Sequence, residues 1–552
     1  MLDRQITSYA QLLQLVDAAA LEIETCLTNS GYKGLQHRLH IAIATKNCVE
    51  VAVWYLFAAR DGHMLCLLDP DWPQQTMAYA LDLYQPHVLI RQTVNNPGSV
   101  KVDVSGVNDL PNTDEVVLKD MFFAGFTSGS SGLPKAFVRT AHSWVVSIAT
   151  AADEFATNTD SVMLAPGPLS HGLSFFTLAE CFYHGATFVS QSRFSATACL
   201  SLLSNSIVNG SEGGDLGKSR LPVAVTAAVL VPSMLHAILE RAQKGADTVG
   251  NLGANAKNLR VITAGAKLSA TDSQLLETVF PSCLLSEYYG ASELSFVTVS
   301  HAEEELDAAS VGRPCQGVEL LIEEDCTDPT SDLMSLKSDA DNDADGDGCG
   351  TVVVSSSMLA SGYLQRIGSQ EKSTLEVMPL ALIRGRATVG DRGYINAQGC
   401  LFLLDREDRM IKSRGFKVYP LVVESVIRDF FLNTFEGTSP TEIVVLGVED
   451  DFQGTAITAI LQAELHSLPD VHKQKTLLTE HCRKYLKDHE LPSRLFLAPS
   501  LPMTSSGKVA YRQLRKNLQE YLQSSLPDYV QDHSADSESS LHQIEAGFSG
   551  SE

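Results

Sequence analysis

Apolar residues along this chain alternate between two periods. CVEVAVWYLFAAR (48–60) places them three and four apart and predicts a helix, as does HSWVVSIATAADEF (142–155). HMLCLLD (63–69), PHVLIR (86–91), LRVITAG (259–265) and LLSEYYG (284–290) are short apolar runs that predict buried strands. Helix and strand patterns alternate in this way, which predicts a mainly parallel sheet covered on both faces. Beyond Val311 the runs shorten and turn residues multiply, as in VELLIEE, GTVVVSS and GCLFLLD, which suggests a smaller β-rich subdomain. NGSEGGDLGKSR (209–220) is a polar loop.

Two stretches need a membrane check. At the N-terminus, Asp3 and Arg4 precede an amphipathic helical pattern rather than the continuous apolar core of a signal peptide. LPVAVTAAVLVPSMLHAIL (221–239) carries no charge, but Pro232 divides it into a β-branched half and a helical half that starts on proline. The expectation is a buried strand followed by a helix, with no membrane span.

A chain of 552 residues that is 44% hydrophobic can bury more than one core. A net charge of −25 argues against a general nucleic-acid binder and leaves a nucleotide substrate possible, because a local site can oppose the global field. Eleven cysteines without Cys-x-x-Cys pairs or zinc spacing suggest reduced thiols in a cytoplasm. Residues 323–350 form an acidic insertion. Its Asp341, Asp343, Asp345 and Gly346 match the start of a calcium loop, but position twelve would be Val352, so a solvated insertion is the better reading. The acidic residues 529–552 read as a disordered tail.

FTSGSSGLPKAF (126–137) follows an apolar strand end. Thr127, Ser128, Gly129, Ser130, Ser131 and Gly132 offer hydroxyls, free N–H groups and a backbone able to come close to a ligand, and Lys135 adds charge. This chemistry suits a polyphosphate. The segment is neither a Walker loop, lacking Gly-Lys-Ser/Thr, nor a hydrolase elbow with an assignable base, and a plain surface loop is the alternative. Further along stand SEYYGASELS with Glu293, TVGDRGYI with Asp391, LDREDRMIKSRGFKVYP with Arg406, Asp408, Lys412 and Gly415, and LPMTSSGKVAYRQL with Lys508.

In this order and spacing the segments resemble the adenylate-forming superfamily, from about Ser8 to Leu518. The resemblance implies a large N-terminal region of α/β subdomains (1–405), a hinge (406–408) and a small mobile α+β domain (409–528). It implies a reaction in two halves: a carboxylate attacks the α-phosphate of ATP to give acyl-AMP and pyrophosphate, then a thiol displaces AMP. By position, the 127–135 loop would grip the β- and γ-phosphates, Gly265 and Ala266 would border the adenine, and Tyr289 beside Gly290 would stack on it. Ser292 would stand beside the α-phosphate, Glu293 would hold Mg²⁺, Asp391 and Arg406 would meet the ribose, and Asp408 would be the hinge. Lys412 and Gly415 would serve the CoA path, and Lys508 would bridge the carboxylate and the α-phosphate. Mg²⁺ and lysine offset the repulsion of two anions. Two departures stand out: Ala136 and Asp405 occupy positions where the family usually has glycine.

GPLSHGLSFF (167–176) corresponds to the acid pocket and lacks the aspartate that amino-acid-activating relatives carry. His171, Gly172, Leu173 and Phe175 would line an apolar pocket, although His171 is also readable as a structural histidine. A fatty or aryl acid fits, with CoA as acceptor. A stand-alone ligase that loads an acyl carrier protein is the alternative within the family, and an inactive nucleotide-binding regulator the alternative outside it.

Overall fold

The computed structural model describes the chain apart from residues 1–5, 30–37, 94–95, 105–117, 128–133, 206–223, 245–258, 305, 308, 325–348, 370–371, 407–408, 414–415, 435–439, 441, 451–453, 464–470, 504–508, 525–541 and 545–552. Two compact units result: Met1–Leu321 with Val353–Val389, and Ile322–Val352 with Gly390–Glu552.

The first unit contains two large sheets. In one, Met121–Thr127, Met64–Leu67, His40–Ala44 and Val88–Thr93 run parallel. Lys135–Thr140, Gly362–Ser369 and Lys372–Met378 extend it antiparallel at one side, and Asn96–Val104 at the other. In the second sheet Thr187–Val189, Val162–Leu164, Ala227–Leu230, Arg260–Ala264 and Leu284–Ala291 are parallel, and Ser295–His301 and Arg313–Pro314 close it antiparallel. The expected parallel centre is present. The antiparallel edges were not expected. Connection length explains the consecutive pairs, because a few residues can join antiparallel neighbours whereas a parallel pair needs a crossover, while Gly362–Ser369 reaches Lys135–Thr140 from a distant part of the chain.

Helices cover these sheets where the periodicity placed them. Cys48–Asp61 is capped by Asn47, whose side chain accepts from the Val49 and Glu50 N–H groups, and it stops at Gly62 in the left-handed region. The chain from 221 to 239 divides as expected, with a strand Ala227–Leu230 and a helix that starts at Pro232. No helix among the described residues is long and apolar enough to cross a membrane.

In the second unit Asp391–Ile395 pairs antiparallel with Leu401–Arg406. Glu442–Asp450, Gly454–Gln462 and Arg494–Ala498 form a sheet buried on both faces. Ile443 and Val445 pack with Ile427, Phe430 and Leu478 of two helices, while Val444, Leu446 and Val448 pack with Leu514 and Leu518 of a third. The period of two sends alternate residues of one strand into two cores. Within the stretch expected to be a disordered tail, His542–Ile544 instead pairs with Arg494–Ala498, taking up the backbone groups at that sheet's edge. The rest of 529–552 and most of the acidic insertion lie outside the described residues.

Candidate active site

In the second sheet the strands Arg260–Ala264 and Leu284–Ala291 run parallel; the first ends at Ala264 opposite Tyr288, and the second continues to Ala291. Gly265 and Ala266 follow the first end, and Tyr289 and Gly290 lie at the second. Carboxyl ends of parallel strands are where open α/β sheets bind ligands. Gly265 has φ +89°, a conformation that favours glycine. Glu287 holds the turn after it: one carboxylate oxygen accepts the Leu268 N–H at 2.7 Å, and the other pairs with Lys267 Nζ at 2.5 Å.

The strand then reverses sharply. A Cβ on Gly290 would lie 2.0 Å from the Ser295 carbonyl oxygen, so the close return of the chain requires glycine. The reversal carries Ser292 and Glu293. Glu293 is 8% exposed, and its carbonyl accepts the Ala360 N–H at 2.8 Å.

Thr127 and Lys135 face each other across an antiparallel pair, at the two ends of the serine- and glycine-rich segment. Ser128, Gly129, Ser130, Ser131 and Gly132 lie outside the described residues. Ala136, one of the two departures, pairs with Phe126, and its methyl is fully buried in the core. Thr127 donates its hydroxyl to Glu293 Oε1 at 3.4 Å, and Tyr363 donates to the same oxygen at 2.7 Å. Lys135 Nζ stands 5.6 Å above the Tyr363 ring centroid. The structure therefore joins the phosphate-loop candidates to the metal-ligand candidate. It adds Tyr363, which lies outside the segments singled out in the sequence.

On the acid-pocket side, a Cβ added to Gly172 would lie 3.8 Å from Ser292 Oγ, so the start of the helix Gly172–His184 adjoins the candidate α-phosphate position. His171 Nε2 is 3.8 Å from an Asp69 carboxylate oxygen, beyond hydrogen-bond distance. Leu173 packs against the buried cluster that contains Phe296, as Tyr288 does. Phe175 does not share this setting. It is fully buried, its ring stacked on Phe123 at 5.1 Å and edge-on to Tyr55 at 5.4 Å, because a helix sends positions two apart to different faces.

The second unit brings Asp391 and Arg406 together. They are opposite each other across two strands, with Arg406 Nε 3.5 Å from Asp391 Oδ1. Lys412 lies exposed on the strand Ile411–Ser413. Asp408, Gly415 and Lys508 lie outside the described residues. Met503 and Val509, which flank the segment containing Lys508, pair in an antiparallel bridge.

The donor set can be tested against Mg²⁺. No group of three or more His, Cys, Asp or Glu side chains able to hold a metal occurs among the described residues. Mg²⁺ does not need one, since it is commonly held by one or two carboxylates together with substrate phosphates. Glu293 fits that role: both hydroxyl contacts fall on Oε1, and among the described residues no hydrogen bond reaches Oε2.

The chain is similar to several known proteins. A putative long-chain fatty acid–CoA ligase, VraA, of Staphylococcus epidermidis is 26% identical over 516 residues, 93% of each chain. The structure resembles ATP-bound MatB from Rhodopseudomonas palustris with a TM-score of 0.69 at 17% identity, covering 93% of this chain and 94% of that one. It also resembles the O-succinylbenzoate–CoA synthetase MenE of Bacillus subtilis in complex with ATP and magnesium, with a TM-score of 0.67 at 20% identity, covering 93% and 95%. The family model for AMP-binding enzymes matches residues 2–364, a span that runs from the first helix through the phosphate-loop strands and Glu293 to Tyr363; the chain belongs to the AMP-binding enzyme family.

Proposed function

We propose that this protein is an AMP-forming acyl-CoA synthetase that uses ATP, Mg²⁺ and CoA to convert a fatty or aryl acid to its thioester. The observation that carries the reading is the convergence of Thr127 and Tyr363 on Glu293, with Lys135 over the Tyr363 ring and Gly172 beside Ser292. A metal-holding carboxylate, a phosphate loop and the mouth of an apolar pocket are the parts that acid activation needs in one place.

The chemistry assigns each group a task. Lys135 and the hydroxyls of the 127–135 loop bind the β- and γ-phosphates. Glu293 holds Mg²⁺, which when bound neutralises phosphate charge. A carboxylate oxygen attacks the α-phosphorus, the bond to the bridging oxygen breaks, and pyrophosphate leaves. Ser292 donates to the α-phosphate, and Lys508 bridges it to the incoming carboxylate. Asp391 accepts from the ribose hydroxyls, and Arg406, paired with it, orients it. In the second half the CoA thiol loses its proton, sulfur attacks the acyl carbon, and AMP departs with the bonding pair. Hinge motion at Asp408 exchanges Lys508 for the Gly415 segment between the halves. Lys412 lies on the CoA side.

The acid is apolar because 167–176 contains no carboxylate to pair an ammonium, and Leu173 packs among apolar neighbours. A cytoplasmic setting suits the ten described cysteines, all free thiols. The test is pyrophosphate release or hydroxamate formation across fatty, aryl and amino acids, followed by CoA or a pantetheinylated carrier protein as acceptor. Fatty or aryl acids with CoA should give the fastest turnover. Preference for an α-amino acid, or for the carrier over CoA, would overturn the substrate assignment. No pyrophosphate with any acid would instead favour a regulator.

A further inference from the structure

Tyr363 touches both charged members of the cluster, one with each part of its side chain. Its hydroxyl donates to Glu293 Oε1 at 2.7 Å, and its ring face lies 5.6 Å from Lys135 Nζ. The surrounding backbone makes both contacts reproducible. Tyr363 is level with Phe137 on the neighbouring strand, so Lys135, two residues before Phe137, is its diagonal neighbour. The Ser361 N–H binds the Val138 carbonyl at 2.8 Å, and the Ala360 N–H binds the Glu293 carbonyl at 2.8 Å. Gly362 enters the strand at φ +149°, where a Cβ would lie 2.0 Å from the Met378 carbonyl oxygen. Residues 360–363 thus grip Glu293 at its main chain and its side chain at once.

We propose that Tyr363 is a positioning residue of the nucleotide site with two separable tasks. The hydroxyl, together with Thr127, occupies Oε1 and so turns Oε2 of Glu293 toward the cation that accompanies ATP. The ring face holds the Lys135 ammonium at the end of the phosphate loop through a cation–π contact. Neither task requires Tyr363 to touch the reacting atoms. This inference rests on the reading of the site as an ATP site.

Tyr363→Phe and Tyr363→Leu separate the tasks, since phenylalanine keeps the ring and leucine removes both functions. The measurements are calorimetric affinity for ATP without metal, affinity for Mn²⁺–ATP, affinity for AMP, thermal melting, and pyrophosphate exchange against Mg²⁺ concentration. Loss of one hydrogen bond to a charged group should weaken Mn²⁺–ATP binding by about tenfold in Tyr363→Phe, with metal-free ATP and AMP affinity within about twofold of wild type. The Mg²⁺ needed for half-maximal exchange should rise in parallel. Tyr363→Leu should show the same metal defect and additionally weaken metal-free ATP by about threefold, while AMP, which lacks the terminal phosphates, stays unaffected. A Tyr363→Phe protein with wild-type metal dependence overturns the hydroxyl's task. Parallel losses in AMP, ATP and melting temperature for both variants overturn the positioning role in favour of a structural one. A wild-type protein that binds no ATP in any form overturns the ATP-site reading itself.

Discussion

Asp405 caps a helix sixteen residues further along the chain: its Oδ2 accepts the Leu421 N–H at 2.9 Å. The helix Pro420–Thr434 begins with proline, so Leu421 carries its first N–H, and a carboxylate there also meets the positive end of the helix dipole. Asp405 Oδ1 accepts the Arg406 N–H and lies 3.5 Å from Arg409 Nη1. Arg409 in turn binds Glu424 at 2.6 Å and lies over the Tyr511 ring. The position where the family usually has glycine therefore carries a side chain that joins both ends of the 406–408 segment.

Breaking this buried group should cost more than losing a surface pair. Arg409→Met strands Asp405 and Glu424, both buried, without their cation and should destabilise the second unit by about 3–5 kcal/mol. Asp405→Asn retains an acceptor for the Leu421 N–H and should cost about 1–2 kcal/mol. Urea unfolding followed by a probe in the second unit checks both values. Equal, small effects would mean that the network is solvated.

Glu180 provides a pH handle. It is 3% exposed on the helix Gly172–His184, and burial pushes its carboxyl up to about 7. A carboxyl raised in the folded state binds its proton more tightly there than in the unfolded chain. Its stabilising contribution is thus complete below about pH 4.5 and is lost as pH rises through about 7, a difference of about 3 kcal/mol. Glu180→Gln should raise the melting temperature relative to wild type at pH 8 and lose that advantage by pH 5. A constant difference at both pH values would show that Glu180 does not titrate in this range.

The acidic insertion joins two paired strands. Glu319–Glu324 pairs with Gly350–Ser355, and Gly350 lies against the Glu323 backbone, where an added Cβ would be 2.3 Å from the carbonyl oxygen. Shortening a connection between adjacent strand ends changes the closure entropy little, lowering its cost by about 0.6 kcal/mol per halving. Replacing residues 328–348 with a short Gly/Ser linker should keep activity within about twofold, and calcium should not change melting. Activity lost on replacement, or calcium-dependent stability in the parent, would give the aspartates a role.

The two half-reactions should respond to different residues. Lys508→Ala should slow acyl-AMP formation by about 10²–10³-fold and spare thioester formation from supplied acyl-AMP. Gly415→Leu should do the reverse, because a side chain would obstruct the thiol arm. Single-turnover assays of each half distinguish them. Impairment of the same half by similar factors would remove the two-conformation mechanism.

Much of this protein is legible in its sequence. Helices such as Cys48–Asp61 and strands such as Arg260–Ala264 follow from apolar spacing, because that periodicity is a property of adjacent residues. Pro232 divided an uncharged run correctly for the same local reason. The resemblance located Thr127, Lys135, Glu293, Asp391 and Arg406 by their motifs, and the structure pairs Thr127 with Glu293 and Asp391 with Arg406.

What depended on distant parts of the chain was not readable. Thr127 and Glu293 are 166 residues apart, and only the packing of two sheets puts one hydroxyl on one carboxylate. Tyr363 lies outside the motifs singled out in the sequence, and its place beside Lys135 follows from its register with Phe137, which a single strand's sequence does not encode. Phe175 reads as a pocket residue from its neighbours, but the helix phase sends it into the aromatic core. Asp405 reads only as a departure where the family usually has glycine, and becomes a cap because the chain returns at Leu421. Local chemistry decided which residues could act at the site. Strand register, helix phase and chain reversal decided which of them meet, because those depend on contacts between segments far apart in sequence.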